Sequence, residues 1–196
     1  MKRIKNRLTS VLAFVAIPGA VYLLFLILRP AAFGKFSMLG MLITQSFINS
    51  IIAWGLSFSM TAGNLDLSIG AQISVSTIVG CLLSQKIGMP GLILGCVGTS
   101  LVVGVIKVLL MRVIRMSSMV ISIAYALILA SIGGVIGGSE ILVISTEHTI
   151  LGRFPANVII FLSTGAIMFF LQKYSVYGAK ARAVGGNPAL AESAGI

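Results

Sequence analysis

Long apolar stretches separated by short polar segments make up most of the chain. A membrane-spanning helix needs about 20 predominantly apolar residues, and six stretches free of Lys, Arg, Asp and Glu have about this length. In chain order they are 8–28, 37–65, 67–85, 87–106, 116–139 and 154–172. The pattern therefore predicts an all-α, polytopic transmembrane helix bundle of about six spans that occupies residues 1–172.

The composition agrees with a membrane protein and leaves little room for any other domain. Hydrophobic residues make up 58% of the 196 residues and charged residues only 9%, whereas an average soluble domain has about 25% charged residues. Because six spans leave no soluble domain of ordinary size, nucleotide hydrolysis or solute capture outside the membrane would need other chains. The first span begins like a signal peptide, but its apolar stretch exceeds the usual length of about 7–15 residues, and we expect it to be retained.

The net charge of +10 is distributed between the spans and does not indicate nucleic-acid binding, which needs a basic patch with aromatic or polar readers. Lys and Arg favour cytoplasmic loops, and an N-terminus inside the cell places ten basic residues there and four outside. We predict that both termini are cytoplasmic. The inner set is Lys2, Arg3, Lys5, Arg7, Lys107, Arg112, Arg115, Lys173, Lys180 and Arg182, and the outer set is Arg29, Lys35, Lys86 and Arg153.

Polar and small residues inside the spans predict contacts between helices. Gln45, Asn49 and Trp54 lie in the second span, and an amide that points at lipid has no hydrogen-bond partner. We therefore expect these side chains to face other helices, with helix-to-helix hydrogen bonding favoured over direct solute contact. Close helix packing is predicted by three GxxxG pairs, Gly91/Gly95, Gly133/Gly137 and Gly134/Gly138.

Few residues in the sequence have the character of chemical groups in an active site. Cys81 and Cys96 lie in apolar runs without a CxxC or Cys/His cluster, which favours a packing role over a disulfide or a metal site. Glu140, Glu147 and His148 lie between the fifth and sixth spans, where nothing completes a zinc ligand set, so we expect a solvated outer loop that an external partner can reach. No metal, cofactor or enzymatic site is predicted, because the spans hold neither paired carboxylates nor a nucleophile with its base.

The segment GNLDLSIG (63–70) places a carboxylate between two apolar stretches. Asp66 is one of four acidic residues in the chain, and three roles are open to it. It could cap the helix predicted over 67–85, as Asn64 also could, by accepting hydrogen bonds from the first amides. It could border a solute pathway where the helices are interrupted at membrane depth, or it could titrate and couple transport to an ion.

Capping and a pathway-lining helix break are compatible with each other, and together they are favoured over titration. Capping implies that Asp66→Asn keeps most of the fold and some transport, because Asn also caps well, whereas Asp66→Leu impairs assembly. The candidates for the cap or the pathway are Asn49, Gly63, Asn64, Asp66, Ser68 and Gly70.

The last residues, 173–196, break the apolar pattern and are polar and basic. NPALAESAGI predicts a short helix with Asn187 as N-cap, Pro188 in the first helical position and Gly195 as the stop. The preceding Gly-Gly pair is not part of a phosphate loop, because neither GxxxxGK[ST] nor GxGxxG is present. A turn and helix this short are unstable alone, so we expect the segment to dock on another protein at the cytoplasmic face.

GNLDLSIG and YGAKARAVGGNPALAESAGI are similar to two motifs of the permease subunits of bacterial ABC importers of the ribose/simple-sugar class, which includes autoinducer-2 permeases. Gly63, Asp66, Leu67, Ser68, Ile69 and Gly70 match the first motif, and Gly178, Ala183 to Asn187, Ala189, Ala191, Gly195 and Ile196 match much of the second. The chain departs from the family at SSMVISIAYALI, where PFIVTLG is usual, and at Ser193-Ala194, where Ser is usually followed by Gly. Family members continue through further spans, so the resemblance implies that the C-terminal part is lacking here.

The resemblance implies a multi-pass protein of the bacterial cell (inner) membrane that imports a monosaccharide or a related small sugar-like solute. Its implied partners are a cytoplasmic ABC ATPase subunit, an extracytoplasmic solute-binding protein, a second permease subunit, identical or different, and membrane lipid. Residues 173–196 are then the ATPase-coupling loop and helix, with Gly178, Ala183, Val184, Gly185, Gly186, Asn187, Pro188 and Gly195 as coupling residues. The alternatives are an ion-coupled membrane carrier and a truncated, non-functional permease fragment.

Overall fold

A computed structural model of the chain describes residues 16–114, 116–138, 144 and 146–195, and of residues 146–148 it describes the backbone alone. Every regular element in these ranges is helical, which confirms the predicted all-α, polytopic fold. The elements are α1 (Ala16–Leu28), α2 (Pro30–Phe33), α3 (Phe36–Thr61), α4 (Ile69–Ile87), α5 (Met89–Ile114), α6 (Ser118–Gly137), a 3₁₀ helix (Thr146–Gly152), α7 (Ala156–Tyr174), α8 (Val176–Gly186) and α9 (Pro188–Ser193).

Four of the described helices, α3, α5, α6 and α7, are long and apolar enough to cross a membrane. The fourth helix, α4, has 19 residues but falls below the others in hydropathy because it contains Gln72, Gln85, Lys86 and several serines. The described part of α1 is apolar but shorter than a span. Length and composition therefore support four of the six predicted spans directly. They do not by themselves identify α4 as a span.

The chain divides into two compact units, Met1–Phe47 and Ile48–Ile196, with the division inside α3. In the first unit, the Tyr22 hydroxyl donates a hydrogen bond to the carbonyl oxygen of Phe33 over 2.8 Å. The rings of Phe25 and Phe33 stack with their centroids 5.2 Å apart. These contacts hold α2 against α1.

The core of the second unit lies between α4, α5 and α6. Val75, Val103, Tyr125 and Leu129 are buried together there. The Tyr125 hydroxyl donates to the carbonyl oxygen of Val103 over 2.7 Å, which supplies the partner that a hydroxyl needs away from water. Large apolar side chains elsewhere on these helices are mostly exposed, as expected for surfaces that face lipid.

Glycines let α4 and α5 approach backbone to backbone. Gly88, at φ +72°, is the single residue between the two helices and reverses the chain in a conformation that glycine adopts readily. A Cβ at Gly95 would lie 2.7 Å from the Cα of Gly80, and one at Gly91 would overlap the carbonyl oxygen of Leu83. The close packing predicted from the Gly91/Gly95 pair is confirmed.

The two GxxxG pairs of α6 differ from each other. A Cβ at Gly133 would lie 3.3 Å from the Val75 side chain, and one at Gly137 would lie 3.6 Å from Ile78. Gly134 and Gly138 face open space. The first pair therefore packs on side chains of α4, so the predicted contact between helices is present there, whereas the second pair has no such contact among the described residues.

Gly95→Ala is expected to lower the free energy of unfolding by about 1–3 kcal/mol, because an added methyl group forces a packed interface to shift. The matched control is Gly98→Ala, which lies further along α5 in open space. Thermal unfolding of the detergent-solubilised protein measures both changes. An unchanged Tm in Gly95→Ala would contradict the close α4–α5 contact.

The C-terminal part of α3 packs on α7. The rings of Trp54 and Phe161 stack with their centroids 4.8 Å apart, and a Cβ at Gly165 would lie 2.6 Å from the Trp54 ring. Nearer the end of both helices, Gln172 Nε2 donates to Ser57 Oγ over 3.3 Å. The end of α7, from which α8 follows after Ser175, is therefore held beside the end of α3.

The prediction that Asn49 faces another helix is wrong for the described helices of the second unit, since its side chain is exposed. The same expectation for Gln45, which lies in the first unit, stays a prediction. Trp54 does face another helix, as predicted. With 3.6 residues per turn, Asn49 lies about 140° around α3 from Trp54. The packed face of α3 therefore excludes Asn49.

Most helix boundaries differ from the predicted ones by a few residues, and two differences change the assignment of a residue or segment. The helix α5 does not end at residue 106 but continues to Ile114, so Lys107 is buried inside it and is not a loop residue. Without Lys107, nine basic residues in the predicted inner set still outnumber the four in the outer set. The tail contains α8 in addition to the predicted short helix, because residues 176–186 continue as helix directly after Ser175.

Candidate functional site

A non-helical segment, residues 62–68, separates α3 from α4 and forms the centre of the site; we call it the break. Gly63 has φ +81°. The Gly63 N–H donates to the carbonyl oxygen of Met60 over 3.0 Å, and the Asn64 N–H donates to that of Ser59 over 3.1 Å. This pair of bonds is the Schellman arrangement, which ends a helix at a glycine with left-handed backbone. The glycine of the first motif is therefore what stops α3.

The Asp66 carboxylate is fixed beside the start of α4. Its Oδ1 accepts hydrogen bonds from the backbone N–H of Ser68 over 2.9 Å and from the Ser68 hydroxyl over 2.7 Å. Ser68 is fully buried and also accepts a bond from Gln72 Nε2 over 2.7 Å. Asp66, Ser68 and Gln72 thus form one network.

The capping role predicted for Asp66 or Asn64 is wrong in its details. The helix begins at Ile69 with Ser68 as N-cap, two residues later than predicted. The Asp66 carboxylate bonds to the N-cap residue itself and not to amides of the first helical turn. Asp66 therefore orders the approach to the helix.

The main partner of Asp66 is a residue that the sequence analysis assigned to a loop. Lys107 Nζ forms an ion pair with Asp66 Oδ1. Lys107 is 7% exposed and lies within α5, so its charge needs a partner close by. The signal available in the sequence was a lysine inside the apolar run LVVGVIKVLL (101–110).

The break is also attached to α6. The fully buried Ser122 hydroxyl lies 3.4 Å from the carbonyl oxygen of Leu65 and 3.0 Å from that of Met119. Together with the Asp66–Lys107 ion pair, this contact connects the break to the two helices that follow α4.

The second motif meets the first at this break. A Cβ at Gly185, in the last turn of α8, would overlap the carbonyl oxygen of Thr61 and would lie 3.2 Å from the backbone nitrogen of Gly63. From the other side, a Cβ at Gly63 would lie 3.7 Å from the Cα of Gly185. The end of α8 therefore rests directly on the break.

The rest of the tail follows the sequence prediction. Asn187 is the N-cap of α9, and its Oδ1 accepts a hydrogen bond from the Leu190 N–H over 3.2 Å. Pro188 occupies the first helical position, and Gly195 has φ +74° just after the helix. At the other end, a Cβ at Gly178 would overlap carbonyl oxygens at the end of α7. The predicted cap, start and stop of α9 are confirmed.

A cavity of about 290 Å³ lies beside the break. Its polar lining comes from the break and from helices α3 to α6. The polar residues are Ser59, Asn64, Asp66, Gln72, Lys107 and Ser118, and the apolar ones include Leu65, Val108 and Met111.

The structure brings together only part of the predicted cap and pathway set. Gly63, Asn64, Asp66 and Ser68 lie in the break. Gly70 lies in the first turn of α4 and faces open space, while Asn49 lies on the exposed side of α3. The structure adds Lys107 and Gln72, neither of which was a candidate.

In the part of the chain that the structure describes, no group of three His, Cys, Asp or Glu side chains is placed to hold a metal ion. Glu140, in the predicted outer loop, lies outside the described residues. The side chains of Glu147 and His148 also lie outside the described part.

Comparison with known proteins identifies the family. Residues 38–196 match the family described as "Branched-chain amino acid transport system / permease component". No curated protein and no solved structure is detectably similar to the chain. The family match covers most of the chain and includes both motifs, the break and the cavity. The chain therefore belongs to this family of ABC transporter permease components, which are multi-pass proteins of the bacterial inner membrane.

Proposed function

We propose that the chain is the permease subunit of an ATP-driven, binding-protein-dependent importer of a monosaccharide or a related small sugar-like solute. The observation that supports this most is the contact of Gly185 with Thr61 and Gly63, because it joins the two motifs that resemble those of simple-sugar permeases. The family description refers to branched-chain amino acids, so the choice of a sugar depends on these motifs.

In this proposal, residues 1–172 are the transmembrane region and residues 173–196 are the coupling segment, which binds a cytoplasmic ABC ATPase. Two features support this role for α8 and α9. The six-residue α9 is too short to be stable without a partner. The Leu190 side chain of α9 is 66% exposed, and the Val176 and Tyr177 side chains at the start of α8 are also mostly exposed. This leaves apolar surface for a partner to cover.

The coupling segment is connected to the transmembrane helices through the break. Movement of α8 is transmitted to the break, because Gly185 leaves no space between α8 and the Thr61 carbonyl group. The break transmits it to α5 through the Asp66–Lys107 ion pair. ATP binding in the partner would thereby shift the bundle between outward-open and inward-open states. A second permease subunit and an extracytoplasmic solute-binding protein complete the proposed importer.

The ion pair weighs against the alternative of an ion-coupled carrier. Such a carrier needs a carboxylate that binds and releases a cation during transport. The Asp66 carboxylate is already neutralised by Lys107 and bonded to Ser68. Asp66 is therefore better suited to holding the break in place.

The proposed function is tested by uptake in cells that lack their own sugar and branched-chain amino acid importers. The chain is produced with an ABC ATPase and a solute-binding protein, and entry of radiolabelled ribose and leucine is measured. We expect ribose uptake that disappears when the ATPase is inactivated and is unchanged by an uncoupler. Uptake of leucine without ribose would overturn the sugar assignment, and uptake abolished by the uncoupler alone would overturn ATP coupling.

A further inference from the structure

We infer that the cavity beside the break is an inner binding site for a neutral polyhydroxylated solute of monosaccharide size, and the last site before release. This inference rests on the proposed function, because it assigns that function's solute to a specific place. The cavity has about 290 Å³, just below the range of about 300–1,000 Å³ for ligand pockets. It therefore suits one small solute.

The polar groups of the cavity match the hydroxyl groups of a sugar, each of which donates and accepts. Lys107 Nζ and the Asn64 amide supply donors, and the Ser118 hydroxyl supplies both functions. The Ser59 hydroxyl donates to the carbonyl oxygen of Asn64 over 3.0 Å and supplies an acceptor. In the described part of the chain, the contacts of the Asp66 carboxylate all use Oδ1. Gln72 bonds to Ser68 through Nε2. Asp66 Oδ2 and Gln72 Oε1 therefore remain as acceptors for solute hydroxyls.

The charge of the cavity favours a neutral solute. Asp66 and Lys107 neutralise each other, so the lining has no net charge to attract an anion or a cation. A zwitterionic amino acid would bind most strongly by separating the pair, and opening a buried ion pair is costly. A sugar hydroxyl can bond to either member while the pair stays closed.

The position of the cavity connects it to the coupling segment. The break contributes Asn64, Leu65 and Asp66 to the cavity wall, and the same break contacts α8 through Gly63. A displacement of α8 therefore changes the cavity directly. The affinity of the site would fall when the coupling segment moves, which is what release requires.

The test is thiol protection in the permease–ATPase complex, purified without binding protein so that only the permease holds solute. Ser118→Cys is made in a background with Cys81→Ala and Cys96→Ala, and the rate of maleimide labelling is measured with and without D-ribose. We expect ribose to slow labelling of Ser118→Cys. The matched control is Ser117→Cys, an exposed neighbour that does not line the cavity and whose labelling should not change.

A second substitution measures the contribution of a cavity side chain. In the Ser118→Cys background, Gln72→Leu should raise the ribose concentration needed for half-protection by about three- to tenfold, the effect of losing one neutral hydrogen bond. Gln85→Leu is the control, since it is exposed at the opposite end of the same helix. It should leave that concentration unchanged.

The possible outcomes distinguish a failure of the inner-site inference from a failure of the proposed function. Active ribose uptake by the full importer without any protection of Ser118→Cys would overturn the inner site and leave the proposed function standing. Protection by leucine in place of ribose would overturn the neutral-polyol assignment. Ribose protection without uptake in any assembled importer would support the site and count against the proposed function.

Discussion

Asp66→Asn is expected to cause a large loss of folded permease. The substitution leaves the Lys107 ammonium group without its counter-charge in a position where the side chain is 9% exposed. Removing one partner of a buried ion pair costs about 3–5 kcal/mol, and the 15% exposure of the Asp66 side chain places the cost at the lower end of this range. Since a folded protein is stable by only about 5–15 kcal/mol, the yield and Tm of the detergent-extracted protein should both fall.

This expectation replaces the one obtained from capping, in which Asn substitutes well for Asp. Lys107→Met should have a similar effect, because it leaves the Asp66 carboxylate unpaired. The double substitution Asp66→Asn/Lys107→Met removes both charges and should recover much of the lost stability. Lys86→Met, at the exposed end of α4, is the control for loss of a lysine. If the double variant were as unstable as the sum of the two single variants, the ion pair would not be the source of the effect.

Gly185→Ala is expected to reduce transport strongly, because its methyl group would overlap the Thr61 carbonyl oxygen. Overpacking of this kind costs about 1–3 kcal/mol, and each 1.4 kcal/mol changes an equilibrium tenfold. The strain falls on the contact between α8 and the break. ATP-dependent uptake should therefore drop by about tenfold or more, with most of the protein still in the membrane. Uptake per amount of inserted protein is the measurement.

The neighbouring glycine gives a closely matched control. A Cβ at Gly186 would meet no atom within 4 Å, and both glycines lie in the last turn of α8. Gly186→Ala should therefore keep uptake near that of the unmodified protein. Equal losses in Gly185→Ala and Gly186→Ala would mean that the contact with Thr61 is not what limits transport.

Local signals in the sequence predicted the fold and the last helix of the tail. Spans appear as apolar runs because lipid imposes this composition on any helix that crosses it. The start of α9 was predictable because Asn187 and Pro188 act on the adjacent backbone alone. The close approach at Gly91 and Gly95 followed from the spacing of small residues on one helix face.

The features that were missed depend on contacts distant in the sequence. Lys107 lies inside an apolar run but was read as the first residue of a loop, and only its position opposite Asp66 shows that its charge is neutralised inside α5. The contact between Gly63 and Gly185 joins residues that are far apart in the chain. The spacing of residue types along the sequence gives no indication of it. Asn49 was misassigned because its type indicates a need for a polar partner without indicating which face of α3 is packed.

The single residue between α4 and α5 also has a consequence for how the protein enters the membrane. On its own, α4 is not among the helices apolar enough to cross a membrane, whereas an 18-residue stretch of α5 has a mean hydropathy of 2.3. Gly88 is the single residue between them, so the two helices lie directly against each other. Their contacts are local in sequence and therefore form early. We expect the pair to partition into the bilayer as one helical hairpin, in which α5 supplies the hydrophobicity and α4 carries Gln72 and the start of the site into place.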